Sequence, residues 1–247
     1  MAAVNPLFAT ETQALRGSGL KYLLECPMRF SLTLGSVEAN IAMQTGSAVH
    51  ELIERFEEAK RTPLTDDVIK KTFDKYTLAK QEEAITYFRG YERQEPKLTE
   101  KYGEIVAAEK QTKCLIAPYT TEEKEIVVYC TIDQLRKKKS QYAVIDFKVS
   151  SQPIADSMLV YALQMSAYIQ SIAQTYKTKN VVAVIANPVL MSRPRSVWMY
   201  ECKIDVAKAS KLLEPIAHVV SAIRQGVELR KSGTQCARCP KKSPENC

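Results

Sequence analysis

The sequence predicts an α/β fold in which helices flank a mixed sheet, in the order helix, three strands, helix, strand. Three observations predict it. The apolar period changes from about 3.6 to about 2 near residue 104, so helices give way to strands. An amphipathic helix from about Ala155 to Tyr176 separates YAVIDFKVS (142–150) from VVAVIANPV (181–189). That last run is apolar and β-branched, which suits a strand buried on both faces. A strand, a crossover helix and a strand in sequence form a right-handed parallel unit.

The elements follow in order. Residues 1–45 read as an N-terminal segment carrying a short helix in LKYLLECPMRF, stopped or kinked at Pro27. Residues 46–204 read as one core. It opens with the helix GSAVHELIERFEEAKR, where Val49, Leu52, Ile53 and Phe56 recur at helical spacing. Two helices rich in Lys, Glu and Tyr form an insertion at about 64–95. EIVAAEKQTKCLIA (104–117) and EIVVYCTIDQL (125–135) read as strands, and the second turns at RKKKSQ into YAVIDFKVS as an antiparallel hairpin. RSVWMYECKI (195–204) reads as a further strand. Residues 205–247 form a closing helix to about Arg230 and a tail containing Gly, Pro and Cys.

The net charge of +7 favours a polyanionic partner, because each phosphate neutralised releases counterions. The clusters KRT (60–62), RKKK (136–139) and KK (241–242) either serve that partner or are solvated turns and tail. No stretch approaches the roughly 20 apolar residues of a membrane span. The start of the chain lacks the charged and apolar runs of a secretory signal. A cytoplasmic address without membrane contact is therefore expected.

In YAVIDFKVS, alternation puts Val144, Asp146 and Lys148 on one face and Ile145, Phe147 and Val149 on the other. A carboxylate and an ammonium inside an apolar strand are costly to bury without partners. Across the hairpin, Asp133 can approach Asp146. Two neighbouring carboxylates repel, and a hard divalent cation, Mg²⁺ or Mn²⁺, relieves the repulsion while keeping several waters. On these residues alone a structural Asp–Lys ion pair at a sheet edge is the competing reading.

Asp133 followed by Asp146-Phe147-Lys148 resembles the motif of PD-(D/E)xK nucleases, a family with a restriction-endonuclease-like αβββαβ core. QMSAY, with Gln164 and Tyr168, resembles the Q-x-x-x-Y motif of the RecB-type members, and Gly46 with His50 resembles their G-x-x-x-H helix. The resemblance implies metal-dependent hydrolysis of DNA phosphodiesters. In it His50, Asp133 and Asp146 hold the metal with the backbone carbonyl of Phe147, and Glu109 on the first strand is a further acid. Lys148 acts on the nucleophilic water, and Gln164 and Tyr168 position substrate or active-site groups. One departure is local: the first acid often follows glycine in this group, whereas Asp133 follows Cys130, Thr131 and Ile132.

Seven cysteines exceed what packing asks of a chain in a reducing compartment, and C-x-x-C points to metal or redox chemistry. Cys26 before Pro27, with Cys236, Cys239 and Cys247, resembles the iron–sulfur nucleases of the AddB type and the CRISPR-associated RecB-like exonucleases. The resemblance implies a structural [4Fe–4S] cluster joining the chain ends in a small subdomain; zinc in the same shell is the alternative. By analogy with a disulfide, so long a closed loop restricts the unfolded chain by about 4–5 kcal/mol. Cys114, Cys130 and Cys202, in strand patterns, read as small buried hydrophobes.

The combined expectation is an exonuclease on single-stranded DNA or DNA ends. Its setting would be recombination, repair, phage DNA metabolism or CRISPR adaptation, with partner proteins from those pathways, and a homo-oligomer is left open. The rivals are a DNA- or partner-binding module of the same fold that cuts nothing, a structural-zinc nuclease, and a redox protein.

Overall fold

The computed structural model describes residues 15–25, 40–118, 125–150, 158–225 and 227. Cys26, Cys236, Cys239 and Cys247, together with Lys241 and Lys242, lie outside the described residues. The chain begins with strand β1 (Leu15–Arg16), a 3₁₀ turn and helix α1 (Leu20–Glu25). Helix α2 (Ile41–Glu58) starts where the Asn40 side chain accepts the Met43 N–H at 3.0 Å, filling one of the bonds a helix start leaves open. Its apolar stripe, Ala48, Val49, Leu52, Ile53 and Phe56, is buried.

The expected insertion is two helices and runs further than anticipated: α3 (Asp66–Lys75) and α4 (Gln81–Tyr102). Gly103, at φ +84°, ends α4; a Cβ there would lie 2.1 Å from the Lys137 carbonyl oxygen, so only glycine fits the turn. Strands β2 (Glu104–Ile116) and β3 (Ile126–Lys138) follow. The turn into β4 (Gln141–Phe147) is tighter than RKKKSQ suggested, because β3 continues to Lys138. β4 itself stops at Phe147, although the Lys148 N–H still donates to the Ala186 carbonyl at 2.9 Å.

Helix α5 (Met158–Tyr176) leads to β5 (Val181–Ala186). β5 is shorter than 181–189 because Asn187 caps a short helix, α6 (Pro188–Met191), accepting the Val189 and Leu190 N–H groups. The expected strand 195–204 shrinks to β6 (Met199–Glu201), and the closing helix is α7 (Val206–Arg224).

The sheet runs β1-β3-β4-β5-β6, with β2 also on β3. β2–β3, β3–β4 and β5–β6 are antiparallel, and β4–β5 is parallel across α5. The sheet is mixed and helices flank it, as expected. One core packs α1, α5 and α7 on one face, with Val144, Leu135 and Ile132; the other packs α2, α3, α4 and α6 on Ala143, Ile145 and Phe147. Cys114, Cys130 and Cys202 are buried free thiols.

Two features of β3 position the site. First, its edge pairs with β1 at Val128 and Tyr129 and with β4 from Gln134 to Lys138, so the strands fork around 130–133. Second, alternation slips at Asp133. Cys130 and Ile132 face the first core and so does Leu135, while Gln134 and Arg136 turn to α4 on the other side.

Arg136 is therefore fully buried rather than part of a basic surface cluster. It donates to Gln134 Oε1 (2.9 Å), Glu95 Oε1 (3.2 Å) and Thr99 Oγ1 (2.9 Å). Arg61 joins through Glu95 at 3.0 Å, Tyr91 bonds Glu57, and Gln134 donates to the Tyr91 hydroxyl at 2.8 Å. Such a network stands only while every member is paired. Arg136→Met leaves the buried Gln134 Oε1 without the Arg136 donors and Glu95 with Arg61 as its remaining cation, so it should destabilise the fold by about 1–3 kcal/mol in urea melts. A smaller loss in Glu95→Gln/Arg136→Met than in Arg136→Met alone would show that the weakened pairing of Glu95 carries part of the cost.

Candidate active site

Four elements meet at the fork in the sheet: α2 brings His50, β2 Glu109, β3 Asp133 and the end of β4 Asp146 and Lys148. His50 Nδ1 lies 3.6 Å from Asp133 Oδ2. One ligand atom from each of His50, Glu109 and Asp133 falls within 4.8 Å of the other two. Where β4 leaves β3, the Phe147 N–H donates to Asp133 Oδ2 at 2.6 Å, so a side chain takes the bond a ladder would otherwise make. Glu109 adopts φ +43°, a left-handed conformation that a non-glycine residue holds only when its surroundings impose it. With that backbone its carboxylate sits beside Asp133.

Asp146 stands next to this trio and is the more buried acid, its side chain 2% exposed. Gln164 Nε2 donates to its Oδ1 at 2.9 Å and also to the Tyr168 hydroxyl at 2.7 Å, so the helical i, i+4 pair works as one unit. Lys148 Nζ is 2.7 Å from Asp146 Oδ2 and 5.2 Å from the centre of the Tyr161 ring. That oxygen has the ammonium beside it but no well-aligned hydrogen-bond donor. The Phe147 ring turns the other way, edge-on to His50 at 6.1 Å and to Tyr91 at 5.4 Å, which ties the site to the buried network.

The electrostatics are those of crowded acids. Burial, then the Asp146 charge, pushes Asp133 up to about 8. Burial, then Asp133, pushes Glu109 up to about 7; Glu54, one helical turn beyond His50, adds to this. Burial lowers His50 against the pull of Asp146, which leaves a neutral imidazole with a free lone pair. Burial opposes the charge on Lys148, but Asp146 outweighs it and holds the ammonium above its usual range.

The donor set fits a hard divalent cation: carboxylate oxygens and one neutral imidazole, with a buried carboxylate oxygen lacking an aligned donor. Sequence reasoning missed the left-handed turn at Glu109 and the contribution of Glu54. The i, i+4 spacing of His50 and Glu54 was the available signal for the latter.

A family model for the PD-(D/E)XK nuclease superfamily matches residues 17–243. The chain belongs to that superfamily. Its members are metal-dependent nucleases, and the His50–Glu109–Asp133 cluster gives this PD-(D/E)XK chain a place for the ion. Among solved structures, that of SSO0001 is 14% identical over 94% of this chain and 95% of its own, with a TM-score of 0.38. No curated protein matches. Among the described residues, no helix is long and apolar enough to cross a membrane.

Two results are expected of this PD-(D/E)XK site. Gln164→Ala frees Asp146 to rotate and should cost about 10–100-fold in Mn²⁺ affinity or turnover, measured by calorimetry and initial rates. The second is a pH dependence of stability. An unfolded Asp133 titrates near 3.8, but the folded one near 8, so stability held at low pH is lost as pH rises through the folded value. Between pH 7 and 8.5 the metal-free chain should lose about 1 kcal/mol, or ~2–4 °C in Tm. Glu109 adds less, since solvent screens its partly exposed carboxylate. His50, held below its usual 6.5, works in the opposite direction, but most of its change is complete by pH 7 and it offsets little of the loss. Saturating Mn²⁺ should remove the slope in a thermal melt.

Proposed function

We propose that this chain is a Mg²⁺- or Mn²⁺-dependent exonuclease of the RecB type, acting on single-stranded DNA or DNA ends. The observation that carries the reading is the convergence of His50, Glu109 and Asp133 within 4.8 Å, beside a buried Asp146–Lys148 pair. His50, Glu109, Asp133 and Asp146 supply the metal ligands, with the Phe147 carbonyl as a further oxygen. A bound divalent ion lowers the pKa of a water ligand and stabilises charge on a phosphoryl oxygen.

The chain's own groups do the rest. Lys148 keeps its proton at neutral pH and offsets the negative charge that develops on the phosphate. It therefore acts as a fixed cation that orients water rather than as a base. Gln164 holds Asp146 in one rotamer, and Tyr168 holds Gln164. The reading also includes a structural [4Fe–4S] cluster on Cys26, Cys236, Cys239 and Cys247, supported by their spacing. The setting it implies is trimming of DNA ends in recombination, repair, phage DNA metabolism or CRISPR adaptation.

The test compares linear and circular single-stranded DNA, with Mg²⁺, Mn²⁺ or chelator. Linear DNA degraded from an end, circular DNA left intact and full inhibition by chelator are expected. Equal attack on circles would overturn the exonuclease mode, and no cleavage with either ion would overturn the reading. Anaerobic preparations should be brown with stoichiometric iron; a colourless, zinc-loaded chain would replace the cluster with zinc.

A further inference from the structure

Glu109 and Asp133 stand at one end of a longer surface that is exposed from Gln111 and Thr131 onward. On β3, Tyr129, Thr131 and Asp133 alternate onto one face, and across the ribbon Tyr129 pairs with Lys113 and Thr131 with Gln111. Gln111–Thr131 is the row next to the acids. Lys113–Tyr129 is the row after it, extended by Arg16 of β1, whose Cα pairs with that of Tyr129. From Asp133 to Tyr129 the strand runs four residues, roughly 13 Å, the reach of a few nucleotides.

Tyr129 is 42% exposed, and Lys113 Nζ stands 5.2 Å from the centre of its ring. Among the described residues, neither Lys113 nor Arg16 has a carboxylate in ion-pair contact. A cavity of about 380 Å³ opens here, lined by Arg16, Ser18, Gln111, Tyr129, Thr131 and Tyr168. Its Tyr168 wall bonds Gln164, which holds Asp146, so cavity and acids share one side chain.

An exposed ring between two cations, with amide and hydroxyl groups leading to the acids, suits a single nucleic-acid strand. Bases stack on the ring, and phosphates meet the cations. A purely apolar ligand would strand the Arg, Ser, Gln and Thr groups without partners. A base inside a duplex is stacked on both sides and cannot offer its face to the ring, so a strand that continues past Tyr129 must be single where it crosses.

We propose that this row is the approach track of a single DNA strand, with one base stacked on Tyr129 and flanking phosphates on Arg16 and Lys113. The proposal rests on the nuclease reading above and adds the direction in which the strand leaves the metal cluster.

Tyr129→Ala, Tyr129→Phe and Lys113→Gln test it, with melts to confirm folding. Binding of a fluorescent single-stranded oligonucleotide is followed by anisotropy without divalent ion, and kcat and KM are measured in Mn²⁺. Tyr129→Ala should raise Kd and KM about tenfold at unchanged kcat, while Tyr129→Phe stays within about twofold. Lys113→Gln should lower the salt slope of binding by about 1. In an abasic scan of the oligonucleotide, one position should weaken wild type by the same factor and leave Tyr129→Ala unchanged.

If wild type cuts DNA while Tyr129→Ala binds as tightly, or if no abasic position distinguishes the two, the track is wrong and the nuclease reading survives. A wild-type chain that neither binds nor cuts DNA overturns both.

Discussion

Asp146→Asn should reduce Mn²⁺-dependent cleavage on the order of 10³-fold, the equivalent of several kcal/mol of transition-state stabilisation. The asparagine keeps the shape of the side chain and can still meet Gln164, so folding should hold. What it removes is the charge at the most buried acid of the site. Lys148 then loses the carboxylate 2.7 Å away, and its ammonium, no longer offset, drops in pKa. Asp133 loses its strongest charged opponent and shifts back toward the ordinary carboxylate range. The variant should therefore show weaker Mn²⁺ binding by calorimetry and a flatter dependence of Tm on pH above 7. Wild-type cleavage by Asp146→Asn would remove Asp146 from the chemistry.

Lys148→Met should lower kcat by about 10²–10³ while leaving oligonucleotide affinity close to wild type. Methionine keeps most of the aliphatic stem, so the contact with Tyr161 is largely preserved. The loss is specific to the charge, which opposes the negative phosphoryl oxygens only as they develop. Mn²⁺ affinity should hold or rise, because a cation that competes for Asp146 Oδ2 is gone. Single-turnover cleavage and anisotropy on the same preparation separate the two effects. Full cleavage by Lys148→Met would leave the ammonium with a structural role only. Lost cleavage with intact binding is the outcome that a binding module of this fold cannot produce, since it has no cleavage to lose.

Much of this arrangement can be read from residue order because alternation and helical spacing are local rules. YAVIDFKVS alone separates Val144 from Ile145 and Phe147, and the two sets enter different cores. Gln164 and Tyr168, four apart on a helix, meet as spacing requires. The departures come where a local rule yields to a tertiary one. The left-handed Glu109 accompanies a slip in alternation at Asp133, which sends Gln134 and Arg136 to the opposite face from the one a regular strand would give. RKKK resembles a solvated turn because nothing nearby in sequence reveals Glu95 and Thr99 waiting on α4. β5 ends early because the Asn187 side chain captures two N–H groups, a competition that an apolar run does not disclose.

The central claim is that His50, Glu109, Asp133 and Asp146 surround one divalent ion. The most direct measurement is the anomalous difference density of a crystal soaked in Mn²⁺. A single strong peak in contact with the His50 imidazole and the carboxylates of Glu109, Asp133 and Asp146 is expected. A crystal of chain that cleaves DNA in the same Mn²⁺ concentration, yet shows its peak elsewhere or none at these side chains, would contradict the account.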